Sequence, residues 1–184
     1  FPGGNFLARQ FRAAAKAIAL RPQLGLKRQT LFLSYGGWDH HIELLDTQEG
    51  MLAVLSGALT AFQQALEQLG LEDTVVTFTA SDFGRTLRSN GRGTDHAWGG
   101  NAFAMGGPVL GGRVHGAFPD LALEGPSDVG YGGRLVPSTS VDAFFGEMLH
   151  WFGVPPASMD LVLPNVGNFY QPTTTARPVG FLSA

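Results

Sequence analysis

Apolar residues recur at helical spacing, i, i+3 and i+4, in three stretches of the chain. These stretches cover about 6–20, 47–69 and 141–152, and each is followed by a residue type that ends helices. Such a pattern predicts three amphipathic helices that bury one face each. The residues that can cap the first and last helices are Asn5 and, for the last, Thr139 or Ser140.

Two runs rich in β-branched and aromatic residues, 30–35 and 74–80, flank the longest predicted helix. Strand, helix, strand is the order found in parallel sheets that helices cover. The pattern therefore predicts an α/β fold. Asp39 and Asp82 follow the two strands, and the carboxyl ends of parallel strands meet at one sheet edge. We expect these two carboxylates to be neighbours there.

The region between the second predicted strand and the last helix is rich in glycine. Residues 83–134 are predicted to be mostly loop, with short strands at 102–105 and 113–116. Beyond Leu161 the chain is rich in proline, which predicts an extended tail over the surface.

Composition narrows the classes of function. At 184 residues with 44% hydrophobic and 15% charged residues, the chain fits one globular domain, residues 1–184. A net charge of −3 without a basic cluster argues against nucleic-acid partners. No apolar run reaches the ~18 residues of a membrane span. Because cysteine is absent, any metal must be bound by oxygen and nitrogen ligands.

Candidate metal ligands lie in three short segments. If the first segment is extended, Asp39 and His41 point to one side and His40 to the other. Asp82 follows the second strand, and His96 lies in a glycine-rich stretch. Carboxylate and imidazole ligands suit Zn²⁺ or Mn²⁺. The alternatives are a turn that Asp39 stabilises, a helix cap at Asp82 and a flexible loop around His96.

Arginines near the same segments suit a phosphate or sulfate group, because a guanidinium donates paired hydrogen bonds to an oxyanion. They are Arg85, Arg88 and Arg92, and the alternative is a solvated loop face. His115 and His150 stand apart from the segments and are interpreted as structural.

Several motifs follow in a fixed order: Gly37-Trp38-Asp39-His40-His41, Ser81-Asp82-Phe83-Gly84-Arg85, Gly93-Thr94-Asp95-His96-Ala97-Trp98-Gly99-Gly100, Val136-Pro137-Ser138-Thr139-Ser140-Val141 and Trp151-Phe152-Gly153-Val154. With them, the stretch from about 30 to 154 resembles the DUF1501 family, bacterial proteins related to sulfatases in the alkaline phosphatase superfamily. The resemblance implies an α/β/α sandwich with a mostly parallel sheet, of which this chain is the C-terminal portion. It also implies periplasmic or secreted localisation.

In that superfamily one metal takes an Asp and a His from a first turn and a His from a late loop. Asp39, His41 and His96 resemble this set, and Asp82 resembles a ligand of a second metal. Phe83 stands where phosphatases carry the second metal's His, so that set is incomplete here. The resemblance places the nucleophile and one further metal ligand upstream of Phe1, in the rest of the same polypeptide.

Two functions follow from these residues and the resemblance. The first is a metal-dependent hydrolase of small anionic phosphate or sulfate esters, with Arg85 and His40 as substrate contacts. Its cofactor is a divalent metal, Zn²⁺ first, with Mn²⁺ or Ca²⁺ as alternatives. The second is a non-catalytic exported metal-binding or scaffold protein, for which Phe83 is the main argument.

Overall fold

The computed structural model describes residues 1–183 and separates the chain into two compact units. The first unit comprises 1–75 with 89–95, and the second comprises 76–88 with the residues from His96 onward. Each unit is described by itself below. The single domain expected from the length of the chain stays a prediction.

Two helices form most of the first unit. The helix α1, Phe6–Ala19, begins at Asn5, whose side-chain oxygen accepts a hydrogen bond from the Ala8 N–H at 2.9 Å. The helix α2, Leu44–Leu69, ends at Gly70 in the left-handed conformation, with φ of 64°. The range of α1 matches the prediction, and α2 ends where predicted but begins three residues earlier than 47. Spacing and end signals are local properties of the sequence.

The core of the first unit lies between these helices. The rings of Phe11 and Phe62 meet at a centroid distance of 4.9 Å. Asn5 adds a polar link, since its side-chain amide donates to the Val54 carbonyl at 3.0 Å. The buried residues of this core are Leu7, Ala8, Phe11, Ala14, Ala15, Ile18, Ala58, Phe62, Leu66 and Leu71.

The predicted strand 30–35 is extended but pairs with no strand among residues 1–183. Leu33 packs against the core, whereas Phe32 is 92% exposed, so the alternation expected of a strand is present. Ser34 bonds instead to the side-chain amide of Gln10. The Ser34 N–H donates to Oε1 of Gln10 at 3.0 Å, and Nε2 of Gln10 donates to the Ser34 carbonyl at 2.8 Å. The segment is therefore extended, as its β-branched and aromatic residues predict, but it belongs to no sheet.

Short strands run through the second unit. The strand β1, Thr77–Phe78, pairs antiparallel with β4, Ala104–Met105. Of the predicted strand 74–80 only this dipeptide forms a strand. Its start lies in a 3₁₀ turn, Glu72–Thr74, where the Thr74 hydroxyl bonds back to the Leu71 carbonyl at 2.8 Å. The predicted strand 113–116 does not form.

Two further short strands form a hairpin. It joins β2, Gly84–Ser89, to β3, Thr94–Ala97, within the stretch predicted as loop. The turn contains Asn90 and Gly91, and Gly91 adopts φ of 94°. Asn-Gly between two short strands is a strong hairpin signal that the loop interpretation overlooked.

The helix α3, Val141–Phe152, anchors the second unit and matches the predicted range. Ser140 caps it by accepting from the Ala143 N–H at 3.0 Å. Its buried Met148 packs with Phe181 and Leu182. The tail, which follows the short helix α4, Met159–Val162, is mostly exposed up to about 178, and then Phe181 and Leu182 enter the core.

The α/β/α sandwich with a mostly parallel sheet is wrong for this chain. Helices dominate, and the strands of residues 1–183 form two small two-stranded sheets. The pairing of β1 with β4 is antiparallel, and the first predicted strand remains unpaired. The order strand, helix, strand gives a parallel sheet only if the two strands pair with each other, and these two do not. Within residues 1–183 no helix combines the length and apolar character needed to cross a bilayer.

Candidate metal centre

The side chains of Asp39 and His41 are in contact just beyond the extended segment. An oxygen of the Asp39 carboxylate lies 3.0 Å from Nε2 of His41, and each side chain is about half exposed, 53% and 47% respectively. The backbone turns here, because the His41 N–H donates to the Asp39 carbonyl at 3.2 Å. His40, between them, is 6% exposed, and its ring meets Trp38 at 6.4 Å.

The turn of the hairpin holds this segment by its backbone. The Thr94 N–H donates to the His40 carbonyl at 3.1 Å, and the Asn90 side chain donates to the His41 carbonyl at 3.0 Å. Farther along, the Leu44 N–H donates to the Arg92 carbonyl at 3.1 Å. These three bonds fix the start of β3 against the Asp39–His41 segment.

Gly93 makes this approach feasible. It is buried, and a Cβ at this position would collide with the backbone of His40 and His41. Any larger residue must push the hairpin away from the segment. The glycine is therefore required by the close approach of two backbones.

His96 follows Asp95 in β3, two residues beyond the Thr94 anchor. Asp39, His41 and His96 each offer a ligand atom, and these atoms lie within 4.8 Å of one another. All three residues are exposed. The possible ligand set is thus one carboxylate and two imidazoles.

Phe83 lies against His96 in the second unit. The two rings stack at a centroid distance of 4.0 Å with an interplanar angle of 13°. The Arg85 guanidinium also lies over the Phe83 ring, 5.7 Å from its centroid. Phe83 itself precedes Gly84, which is buried and so close to the Gly99 carbonyl that a Cβ would collide with it.

Asp82, the fourth predicted ligand, is not part of the cluster of Asp39, His41 and His96. Asp82 is exposed, and within residues 1–183 it belongs to no cluster with metal-binding spacing. The expected meeting of Asp39 and Asp82 at a parallel sheet edge has no basis here, because that sheet does not form.

Two of the three arginines are engaged by carboxylates. Arg88 pairs with Glu124 at 3.7 Å and Arg92 with Glu43 at 3.7 Å, all with exposed side chains. Such exposed pairs contribute little stability in water. Arg85 lies over Phe83, whose ring stacks on His96.

The other two histidines make backbone contacts. A ring nitrogen of His115 lies 3.0 Å from the Leu110 carbonyl, and one of His150 lies 2.9 Å from the Thr174 carbonyl. Neither belongs to a cluster with metal-binding spacing within the described chain. These contacts agree with a structural role.

Sequence reasoning missed the residues that assemble the group. Asn90 and Gly93 bring β3 to the segment, and the Asn-Gly turn was the available signal. Phe83 was considered only as a missing ligand, and nothing in the sequence indicates its stacking on His96.

Comparison with known proteins gives one family. No match was found to a curated protein or to a solved structure. A family described as "Protein of unknown function (DUF1501)" matches residues 8–162, which is most of the chain. The chain belongs to the DUF1501 family.

Proposed function

We propose that this chain binds a divalent metal ion through Asp39, His41 and His96, and that the metal serves hydrolysis of a phosphate or sulfate ester. The observation that supports it is the clustering of three ligand atoms within 4.8 Å. Relationship to the sulfatases is part of this proposal, as is Zn²⁺ as the metal, with Mn²⁺ or Ca²⁺ as alternatives.

The residues fit such an ion by their chemistry. One carboxylate oxygen and two imidazole nitrogens form a donor set that Zn²⁺ and other first-row divalent ions accept. Catalytic zinc sites use three protein ligands and leave a position open for substrate. The exposure of all three side chains is consistent with an open site.

Each residue has a defined task in this proposal. A divalent ion supplies Lewis-acid polarisation of an ester oxygen when it is bound. Asp39 contributes negative charge and holds the His41 ring at 3.0 Å. Arg85 supplies a guanidinium for the ester's anionic oxygens. His40, at 6% exposure, supports the site through its carbonyl, and its direct contact with substrate stays a prediction.

A non-catalytic metal-binding protein is the second candidate. Arg88 and Arg92 are paired with glutamates, which leaves fewer guanidinium groups for an oxyanion. Asp82 lies outside the ligand cluster. Both observations favour a protein that binds the metal without turning over an ester.

Metal analysis of the purified protein tests the shared part of both candidates. We expect about one equivalent of metal per chain after dialysis, as for a three-ligand site. Asp39→Ala and His96→Ala should reduce it to background. Asp95→Ala is the matched control, because Asp95 is exposed and adjacent to His96 but lies outside the cluster. Wild-type protein without metal, even after incubation with Zn²⁺, contradicts the proposal.

Hydrolysis assays separate the two candidates. A panel of aryl phosphate and sulfate esters should be cleaved by the metal-loaded protein and not by His96→Ala if the protein is a hydrolase. Metal binding without hydrolysis of any ester favours the second candidate. Periplasmic or secreted localisation is proposed for both and is tested by cell fractionation.

A further inference from the structure

Phe83 offers His96 a flat surface that is itself held in place. The two rings are nearly parallel, 13° apart, at 4.0 Å. Phe83 is half-buried, while His96 is exposed. The chain cannot shift easily at this point, because the adjacent Gly84 lies against the backbone of Gly99.

An exposed histidine ordinarily samples several rotamers, and a metal ion must select one of them. Ordering a side chain on binding lowers affinity, whereas a ring already held in the binding orientation avoids that loss. Groups that orient metal ligands are for this reason important to affinity. Stacking restricts the plane of the His96 ring before any metal arrives.

We infer that Phe83 is a positioning residue, which holds the His96 imidazole in the plane needed to share a metal ion with Asp39 and His41. This inference rests on the proposed metal site. It assigns a task to the residue that stands where a second metal's histidine is expected. Arg85, over the same ring, adds a cation–aromatic contact that helps to keep Phe83 in place.

Cobalt titration of the protein measures this role. Co²⁺ reports both affinity and coordination geometry through its visible absorption. We expect Phe83→Leu to weaken Co²⁺ binding about tenfold, which is the lower end of the loss in affinity seen when a group that orients a metal ligand is removed. The same variant should alter the absorption bands. Phe83→Tyr keeps an aromatic face and should retain the wild-type affinity and spectrum. Phe118→Leu, at another exposed phenylalanine, is the matched control and should change neither.

NMR of the metal-free protein provides a second readout. In the wild type the His96 ring protons should be shifted upfield by the Phe83 ring and show cross-relaxation with it. Absence of both signals overturns the inference without any variant having to fold.

The outcomes distinguish the two proposals. If wild type and Phe83→Leu bind Co²⁺ with equal affinity and identical spectra, the positioning role is wrong and the metal site stands. If the wild type binds no Co²⁺, the proposed function is wrong and the positioning role falls with it.

Discussion

Replacing Glu147 by glutamine exchanges one carboxylate oxygen for an NH₂ group in a side chain that accepts four backbone hydrogen bonds. Glu147 lies on α3 and is 1% exposed. One carboxylate oxygen accepts N–H bonds from Val179 at 2.9 Å and Gly180 at 2.7 Å. The other accepts from Phe181 at 2.7 Å and Leu182 at 2.8 Å. Four consecutive backbone donors of the tail thus bond to one carboxylate.

The magnitude follows from these four bonds. Glutamine keeps one acceptor oxygen, and its NH₂ group faces the other two N–H donors, which then lose their partner. Hydrogen bonds to a charged group contribute about 1.5–3 kcal/mol each, so two lost bonds correspond to about 3–6 kcal/mol. Glutamine also removes the cost of burying a charge, which favours the lower end. We expect the free energy of unfolding to fall by about 3 kcal/mol.

Urea unfolding and hydrogen exchange measure the effect. A loss of about 3 kcal/mol raises the opening equilibrium about 100-fold, so the amides of 179–182 should exchange about 100-fold faster. Glu49→Gln, at an exposed glutamate of α2, is the matched control and should leave both quantities unchanged. A change below about 0.5 kcal/mol in Glu147→Gln, with unaltered exchange at 179–182, refutes the reasoning.

Two further predictions concern local bonds. Asn5→Ala removes both the cap of α1 and the bond to Val54, and should lower the free energy of unfolding by about 1–2 kcal/mol in urea titrations. Asn5→Asp keeps the cap and should lose less. Equal losses in the two variants contradict the role of Asn5 as the cap of α1. Backbone N–H groups, that of Glu124 first, hold the pKa of Asp128 below its usual value of 3.8. The stability that this carboxylate contributes is therefore present above pH 3.8 and lost as the pH falls through the folded pKa. The difference in urea midpoint between wild type and Asp128→Asn should shrink below pH 3.8, and a constant difference argues against it.

Part of the candidate site could be predicted from the sequence. Period-two alternation predicts Asp39 and His41 on one side and His40 on the other. In the structure the first two side chains are in contact and His40 is buried, although a turn bond joins the backbones of Asp39 and His41. The place of His96 in the ligand set could not be predicted, because it depends on the hydrogen bond from the Thr94 N–H to the His40 carbonyl, which holds the start of β3 in place. Asp82 was expected beside Asp39 only through a parallel sheet, and without that sheet nothing brings the two together.

The sequence by itself determined the three long helices and most of their ends, but not the start of α2, since a helix satisfies its backbone hydrogen bonds within four residues and its end signals are local. The tertiary structure alone decided which extended segments pair and which side chains meet. A strand takes its hydrogen bonds from a partner that can lie anywhere in the chain. The stacking of Phe83 on His96 depends in the same way on contacts between segments that local propensity does not encode.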